Sequence, residues 1–404
     1  MGLAFLGADV IRVESTLKTD TLRNGGPFRL GTTGVDRSAY YANFNRDKRG
    51  MALNLRHPRA LEIAKRLIAV SDVVTESFQP GFLQEIGLTY EAARAVRPDV
   101  IMVSMSMEGQ DGPHAPYKGF GLTLQGTAGI THLTGWPDRA PVGTGVAYTD
   151  WFATHVASVC IQAALDDRRR TGEGQYIDMS QLAAMTLALD ATLLEETATG
   201  TVATRAGNSH PEMSPHGVYP ARGEDRWIAI TAPTDEAWRA LVAVLDPVAD
   251  LVQPVTEPVE VTAALDGGPH RGDLATDPAL TSVAARLERR QWLDDQIAAQ
   301  TTTWDGDELA ERLQEAGVPA YPVLTMGDME LDPQLVARGQ YWSTTHPVIG
   351  ECTWDAPGFQ LQGTPLYPRN PAPLLGQHNE DIYRNLLGYS EDEFIDLMVD
   401  GAIQ

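Results

Sequence analysis

The chain has 404 residues, of which 43% are hydrophobic, and its 54 acidic against 31 basic side chains give a formal net charge of −23. This acidic balance excludes a generic nucleic-acid binder, whose surface must be basic to neutralise phosphates. No apolar run has the length of a membrane span and no secretory leader opens the chain, so we expect a cytoplasmic protein with no membrane partner.

Strands and helices alternate over the first hundred residues. GLAFLG is typical of the end of a helix closed by Gly7, and the predicted strands after it are ADVIRVE, MALNL, SDVVTESF and DVIMVSMS. Strands that alternate with helices indicate βαβ units and a parallel sheet. Ligands of such sheets bind beyond the carboxyl ends of the strands. We therefore expect the loops TESFQPG and SMEGQDGPHAPYKG to form the walls of a site.

Residues 41–70 form a basic island in the acidic chain, with seven basic against two acidic residues. Such an island indicates that one anionic ligand is bound there. A solvated helix face explains three of the seven equally well. The basic residues are Arg46, Lys48, Arg49, Arg56, Arg59, Lys65 and Arg66.

Asp150 stands between a glycine-punctuated segment and a helix with apolar residues at helical spacing. Aspartate is a favoured helix N-cap, because its carboxylate accepts a hydrogen bond from a free N–H group. The same position keeps the carboxylate ionised. A cap and a nucleophile can share one location, so position alone leaves both roles open.

The sequence changes character after about residue 207. GVYPA and RWIAIT are typical of hairpin strands around a turn. We predict a large α/β domain over residues 1–207, a smaller α+β domain over 208–328, and a return to the large domain over 329–404.

Several kinds of site are absent from the sequence. The histidines have no partners at metal-ligand spacing, so we predict no metal site. Neither a G-x-S-x-G elbow nor a phosphate-binding G-x-x-x-x-G-K-[ST] loop is present. Cys160 and Cys352, expected in a helix and in a turn, have neither disulfide nor zinc spacing. A carboxylate near a basic island remains, which points to acyl transfer from an anionic carrier.

The sequence resembles the class III coenzyme A transferases, a family that includes the formyl-CoA, carnitine and benzylsuccinate CoA-transferases. The resemblance covers nearly the whole chain, and its pieces occur in family order. They are GADVIRVE, FNRDKRGMALNLRHP, SDVVTESFQPGFLQEIGL, the G-Q-x-G-P loop, AYTDWFA, RRRTGEGQYIDMS, PHGVYPARGEDRWIAI and APLLGQHN.

The resemblance implies an open, Rossmann-like parallel-sheet domain with a smaller α+β domain, in two chains interlocked as a homodimer. A heteromer is the alternative assembly. It also implies an enzyme that moves coenzyme A from an acyl-CoA donor to a small carboxylic acid, with the thioester as substrate and no metal or redox cofactor. The family's nucleophile falls on Asp150, which forms an aspartyl anhydride and then an aspartyl-CoA thioester.

The family's CoA contacts fall on five residues of this chain. The resemblance places Leu53 and Arg56 near the adenine and the phosphates. It places Ser77 and Phe78, where the family usually has Asn-Phe, against the pantetheine arm, and Lys118 on a CoA-contacting lysine.

The sequence departs from the family pattern at three places. The family's first strand and its A-G-P loop do not occur in this sequence, so we expect either that its start is misassigned or that part of the site is lost. Glu85 stands where an arginine is common. The histidine base of the related acyl-CoA racemases falls on Phe120, which cannot move a proton. The alternatives to a transferase are therefore an acyl-CoA racemase or isomerase, which Phe120 disfavours, and a non-catalytic CoA-binding subunit.

Overall fold

The structure of the chain, a computed structural model, describes residues 1–245, 274 and 277–404. Two units are formed, each with hydrophobic clusters of its own. The large unit comprises Met1–His132, Val142–Ala203 and Glu330–Gln404. The small unit comprises Leu133–Pro141 and the described part of Thr204–Met329.

The strands in the first half of the large unit form parallel sheets, which confirms the α/β prediction. Strand β1 (Val10–Glu14) pairs with β2 (Lys48–Ala52). A second sheet has the order β3 (Val73–Glu76), β4 (Ile101–Ser106) and β5 (Tyr176–Ser180). Because these three strands run in the same direction, their carboxyl ends meet at one edge. The segments that follow the three strands therefore share this edge.

Strand β2 begins earlier than the sequence indicates. We expected the apolar run MALNL, but the paired residues extend from Lys48 to Ala52. Leu53 continues the ladder by one more bond, from its N–H to the carbonyl of Glu14 at 2.8 Å. An apolar pattern marks the buried end of a strand, whereas backbone pairing extends into residues with charged side chains.

The second sheet is covered on both faces, as parallel sheets usually are. Alternate side chains point to opposite faces, so Ile101 and Val103 pack with Ile161 while Met102 packs with Ile68 and others on the far side.

The helices before residue 200 are α1 (Gly2–Phe5), α2 (Thr21–Asn24), α3 (Ala39–Asn45), α4 (Ala60–Ala69), α5 (Phe82–Glu85), α6 (Tyr90–Val96), α7 (Gly121–Thr127), α8 (Ile130–Leu133), α9 (Tyr148–Thr171), α10 (Gln181–Thr186) and α11 (Asp190–Thr199).

The small unit has an antiparallel sheet with helices packed against it. The expected hairpin is formed by β6 (His216–Pro220) and β7 (Trp227–Thr231), and β8 (Ala320–Pro322) adds to β7. Its core includes Ile228 and Leu241. The helices are α12 (Asp235–Leu245), α13 (Val283–Glu288), α14 (Arg290–Thr301), α15 (Gly306–Glu315) and α16 (Met326–Leu331).

The C-terminal segment belongs to the large unit. It contains α17 (Pro333–Ala337), the hairpin of β9 (Tyr341–His346) and β10 (Gly350–Asp355), and α18 (Glu391–Val399). Side chains of this segment bond to the backbone of β2. His378 Nδ1 accepts from the Gly50 N–H at 3.0 Å, and Asn379 Oδ1 accepts from the Ala52 N–H at 2.7 Å. The Tyr383 hydroxyl donates to the Ala52 carbonyl at 2.9 Å.

Cys160 lies in α9 as expected, but Cys352 lies in β10, so the turn predicted around it is wrong. The short Gly350–Asp355 strand alternates polar and apolar residues, a weak signal that its pairing with β9 reveals. Both thiols are free. No helix in the described part of the chain is long and apolar enough to cross a bilayer. The domain boundaries at residues 207 and 328 stay predictions.

Candidate active site

Asp150 is the third residue of helix α9, not its cap. The helix begins at Tyr148 with Ala147 as the N-cap, so Asp150 does not have the N-cap role, one of the two roles that the sequence left open. The side chain of the preceding Thr149 is buried, and its hydroxyl donates to the Gly121 carbonyl at 3.1 Å. This bond joins the start of α9 to the start of α7. The carboxylate of Asp150 does not cap the helix and can therefore take part in a reaction.

The Asp150 carboxylate lies in a partly buried, uncharged environment. Burial raises the pKa of Asp150 above its ordinary value, and a hydrogen bond from the Gln181 side chain opposes this rise. Asp150 forms no ion pair with any basic side chain in the described residues. A carboxylate that is poorly solvated and unpaired is more reactive as a nucleophile than one held by a cation.

Gly121 is the backbone neighbour of the carboxylate. A Cβ atom at this position would lie 2.4 Å from Oδ2 of Asp150, 2.7 Å from its Cγ and 2.8 Å from Cβ of Ala147. Real Cβ atoms do not approach other atoms so closely, so any residue other than glycine at this position would displace the Asp150 carboxylate or the start of α9. Helix α7 therefore meets α9 at the candidate nucleophile itself.

A buried glutamine fixes the loop that leads into α9. Gln125 on α7 is fully buried, and its Nε2 donates to the Val146 carbonyl at 2.5 Å. Its Oε1 accepts from the Thr144 hydroxyl at 2.9 Å. Both ends of the amide are satisfied, so Gln125 holds residues 144–146 against α7.

Aromatic rings border the same end of α9. Trp151 follows Asp150 and meets Phe44 of α3 edge to face at 4.9 Å between centroids, and Phe44 meets Tyr40 at 5.1 Å. Tyr148 is exposed, and so is Phe120 before α7. The side chains at this end of α9 are thus largely apolar, which suits an acyl group.

The structure brings four of the five predicted CoA contacts to neighbouring loops. Ser77 and Phe78 follow β3 and are exposed, and Phe78 packs on Phe82 at 4.6 Å between centroids. The Arg56 guanidinium lies over the Phe82 ring at 5.5 Å. Gln79 donates to the carbonyl of Pro116 at 3.1 Å, which ties this loop to the one that carries the exposed Lys118.

Leu53 is placed differently from the other four. Its side chain is 2% exposed and packs in the core with residues such as Met51 and Ile63. A nucleotide could reach only the backbone of Leu53. The sequence motif that contains Leu53 and Arg56 therefore divides into a core residue and a surface residue.

The seven basic side chains of residues 41–70 do not converge on one site. Arg46 is fully buried, and Lys48 is buried deeply enough that desolvation lowers its pKa to about 8. Arg56 borders the loop after β3 and pairs with Glu85 at 2.9 Å. Others are held by acidic side chains of the chain: Arg49 by Asp9 and Asp381, Arg59 by Asp396 and Asp400, and Arg66 by Glu62.

Gly121, Gln125 and Gln181 were missed by the sequence analysis. Gly121 was visible only as part of the glycine-rich loop after β4, and Gln125 lacks any motif. Gln181 directly follows β5, a strand that the sequence analysis did not predict, so its place at the carboxyl end of a parallel strand was not visible from the sequence.

The family model described as "CoA-transferase family III" matches residues 1–258 and 256–379, which together make up most of the chain. The chain belongs to CoA-transferase family III. The resemblance found in the sequence is thereby confirmed, and so is the prediction that the protein is a CoA-transferase.

This family III CoA-transferase is similar to two curated relatives. It is 33% identical over 391 residues to the succinyl-CoA–D-citramalate CoA-transferase of Chloroflexus aurantiacus, covering 97% of this chain and 90% of the relative. It is 31% identical over 390 residues to the succinate–glutarate CoA-transferase of Agrobacterium fabrum, covering 95% and 90%. Its fold matches the crystal structure of a CAIB/BAIF family protein from Brucella suis with a TM-score of 0.81 and 31% identity, covering 95% and 93%.

Proposed function

We propose that this family III CoA-transferase moves coenzyme A from an acyl-CoA donor to a small carboxylic acid, with Asp150 as the covalent nucleophile. The observation that carries the proposal is the Asp150 carboxylate, which is partly buried, forms no ion pair within the described part of the chain, and occupies the space beside Gly121 that a side chain would need. We propose succinyl-CoA as the first donor to test, because both curated relatives are named for succinyl-CoA or succinate.

The first half of the proposed cycle transfers the CoA group to the enzyme. A carboxylate oxygen of Asp150 attacks the donor's thioester carbonyl, the carbon–sulfur bond breaks, and the CoA thiolate leaves a mixed anhydride. The thiolate then attacks the aspartyl carbonyl of that anhydride. The donor acid leaves as a carboxylate, and Asp150 carries CoA as a thioester.

The second half repeats these steps with the acceptor. The acceptor carboxylate attacks the aspartyl thioester carbonyl and releases the thiolate, which gives a second anhydride. The thiolate attacks the acceptor's acyl carbon, and the Asp150 carboxylate is restored. Each step exchanges one activated carboxyl for another, so the net driving force is small and catalysis depends on keeping CoA bound between steps.

The loops after β3 and β4 are the proposed binding surface for CoA. Phe78 and Phe82 offer an apolar surface for the pantetheine arm, while Arg56 and Lys118 offer positive charge for phosphates. Lys118 lies shortly before Gly121, which touches Asp150, so the loop links the phosphate side to the reacting carboxylate. Glu85 offsets part of the charge of Arg56.

We also propose that two chains associate, interlocked as the family resemblance implies. Large apolar side chains of α9, of α11 and of the segments that flank α11 are exposed, and no residue of α11 is buried. Exposed apolar patches on globular proteins mark interaction surfaces. The exposed residues are Val159, Leu187, Leu193, Leu194 and Val202.

Trapping the enzyme thioester tests the proposed function. The protein is incubated with a panel of acyl-CoA thioesters that includes succinyl-CoA, treated with borohydride, and analysed by intact mass and peptide mapping. Borohydride reduces a thioester to an alcohol, so we expect a reduced side chain at Asp150 and none in Asp150→Ala. Asp166→Asn, an exposed carboxylate on the same helix, is the matched control and should still be trapped.

Two outcomes would contradict the proposal. A folded protein that binds CoA but is never reduced at Asp150 is not a covalent transferase. Exchange of the donor's α-hydrogen with deuterium from the solvent, in the absence of an acceptor acid, would identify a racemase or isomerase instead.

A further inference from the structure

An exposed ion pair joins the turn after strand β2 to the end of helix α5. Nη1 of Arg56 donates to Oε1 of Glu85 at 2.9 Å. The two side chains are 67% and 58% exposed. Both charged groups are therefore open to an ion that arrives from the solvent.

The backbones that carry this pair are fixed. The Arg56 N–H donates to Oδ1 of Asn54 at 3.1 Å. Glu85 ends α5, and its N–H donates to the Gly81 carbonyl at 2.9 Å. The buried Leu83 anchors this short helix in the core. Opening the pair therefore requires a movement of the two side chains only.

The pair borders the aromatic surface proposed for the pantetheine arm. The Arg56 guanidinium lies over the Phe82 ring at 5.5 Å, and Phe82 meets Phe78 at 4.6 Å between centroids. CoA joins its pantetheine arm directly to a diphosphate. An arm that lies on these rings therefore brings phosphate oxygens within reach of the guanidinium.

Positive charge is scarce around this surface. Residues 77–89 and 107–120, the segments after β3 and β4, contain one basic and three acidic side chains: Lys118, Glu85, Glu108 and Asp111. Arg56 is the second base of the proposed surface. The phosphate monoester of CoA alone carries about −1.5 to −2 charges at pH 7. The pairing of Arg56 with Glu85 thus occupies one of the two cations available to a strongly anionic ligand.

We infer that Glu85 is a displaceable counter-ion of the CoA site: it holds Arg56 until a phosphate group of CoA takes its place. This inference rests on the proposed function, in which Arg56 meets the phosphates. Glu85 weakens the recognition of the nucleotide end of the carrier, and the choice of donor is left to the acyl and pantetheine end. It is a specificity-determining residue that acts through Arg56.

The charges decide which anion Arg56 keeps. A phosphate group offers more negative charge than a carboxylate and binds a guanidinium through two parallel hydrogen bonds. An exposed pair with a carboxylate is weak, because water competes for both charges. CoA therefore displaces Glu85, and the broken ion pair reduces the affinity. The displaced carboxylate also stays close to the bound phosphate and repels it.

Calorimetric titration of the full-length protein with CoA tests the inference. Glu85→Gln keeps the size of the side chain but removes its charge, so CoA should bind with a Kd about two- to fivefold lower than in the wild type. Pantetheine, which lacks phosphate groups, should bind equally well to both proteins. An unchanged Kd for CoA in folded Glu85→Gln overturns the inference, and so does an equal gain for pantetheine.

A second background separates competition for Arg56 from simple repulsion. In Arg56→Gln no guanidinium is left for Glu85 to hold. Adding Glu85→Gln to this variant should therefore improve the affinity for CoA by a clearly smaller factor than in the wild type. A factor of the same size in both backgrounds means that Glu85 only repels the phosphates, which contradicts the inference.

The salt dependence of binding is an independent measurement. In the wild type, CoA exchanges one ion pair of Arg56 for another, whereas in Glu85→Gln it forms a new one. The affinity of Glu85→Gln for CoA should therefore fall more steeply as salt is added. Equal slopes for the two proteins are incompatible with a displaced counter-ion.

Glu62→Gln is the matched control, because Glu62 forms an exposed pair of the same kind with Arg66 at 2.8 Å. Glu62 lies on α4 and has no place in the proposed CoA surface. Its variant should bind CoA with the Kd of the wild type. A gain equal to that of Glu85→Gln would reflect the net charge of the chain and would also overturn the inference.

The failures of the two proposals are distinguishable. If no donor leaves a reduced Asp150 in the borohydride experiment, the proposed function fails, whereas the titrations require no turnover. If Asp150 is trapped and CoA binds with an affinity that does not depend on Glu85, only the role of Glu85 fails.

Discussion

At the scale of single residues, the contact between Gly121 and Asp150 sets the reaction centre. The carboxylate occupies the space that any larger side chain at position 121 would need. The position of Asp150 therefore depends on a residue with no reactive group. A search for reactive side chains would not have found that the position of Asp150 depends on Gly121, because glycine has no functional group.

Gly121→Ala should inactivate the enzyme while leaving it folded. The added Cβ would displace the carboxylate or the start of α9, at a cost of about 1–3 kcal/mol in the free energy of unfolding. A displacement of about 1 Å at a reacting atom lowers the rate about a hundredfold. Transferase assays and denaturation curves measure the two effects.

Gly126→Ala on the same helix is the control, because no atom lies within 4 Å of a Cβ there. It should leave activity unchanged and raise stability slightly, since alanine favours a helix over glycine. Equal activities for the two variants would show that the close contact at Gly121 is unimportant.

Asp150→Asn should stabilise the folded protein at neutral pH. Burial raises the pKa of Asp150, so ionising it is less favourable in the folded chain than in the unfolded chain. The native state loses stability as the pH rises from the ordinary aspartate pKa of about 3.9 through the raised value. The variant lacks this loss.

Thermal unfolding at several pH values checks this effect. The midpoint for Asp150→Asn should lie roughly 1–3 °C above that of the wild type at pH 7. The difference should shrink as the pH is lowered toward about 3.9. A difference that grows on acidification would contradict the raised pKa, and Asp166→Asn should show no gain.

At the scale of elements, a buried ionic network anchors α2 and α3 to strand β1. Arg23 is fully buried and donates two hydrogen bonds to Glu14, at 2.9 and 2.7 Å. It also donates to Asp36 and to the hydroxyl of Tyr41, both at 2.6 Å. Because α3 carries Phe44 onto Trp151, the network also orients the wall beside Asp150.

Arg23→Met should destabilise the protein by about 3–5 kcal/mol, because it leaves the buried Glu14 carboxylate without its main partner. The double variant Arg23→Met/Glu14→Gln should recover part of this loss. Chemical denaturation followed by tryptophan fluorescence measures both. A double variant less stable than Arg23→Met would show that Glu14 is supported in some other way.

At the scale of the whole molecule, the exposed apolar residues of α11 and of the segment before it are relevant to assembly. Leu187 and Leu194 are each 63% exposed, and Leu193, which directly precedes Leu194 in the chain, is exposed too. Covering these side chains removes apolar surface from water, which favours association. The large negative charge of the chain, −23, opposes non-specific aggregation.

Light scattering should give twice the chain mass of 43.9 kDa for the wild type. Leu193→Glu/Leu194→Glu should give the mass of one chain, because two carboxylates cannot be buried in an apolar interface without large cost. Val399→Glu, which alters an exposed apolar residue of α18, should leave the mass unchanged. A wild-type mass of one chain, doubled by a second protein, would indicate a heteromer.

The sequence could predict the parallel strands before residue 107 and the hairpin of the small unit, and it suggested a candidate nucleophile, but it did not predict strand β5, strand β10 or the surroundings of Asp150. Asp150 was visible because it stands at a helix start within a family motif. Gly121 and Gln181 reach it only through the packing of α7 and α10 on α9, which no local pattern encodes. The sequence likewise gave no sign that Arg56 and Glu85 pair, since two surface side chains meet only after the loop after β3 is placed.

The surroundings of Asp150 have a kinetic consequence. Its carboxylate lies against an amide and a glycine backbone, and no titratable side chain among the described residues shifts its pKa. In the proposed cycle the bonds that form and break are carbon–oxygen and carbon–sulfur bonds, and no step transfers a proton. The turnover rate in heavy water should therefore equal that in ordinary water, with a solvent isotope effect close to unity and a flat proton inventory.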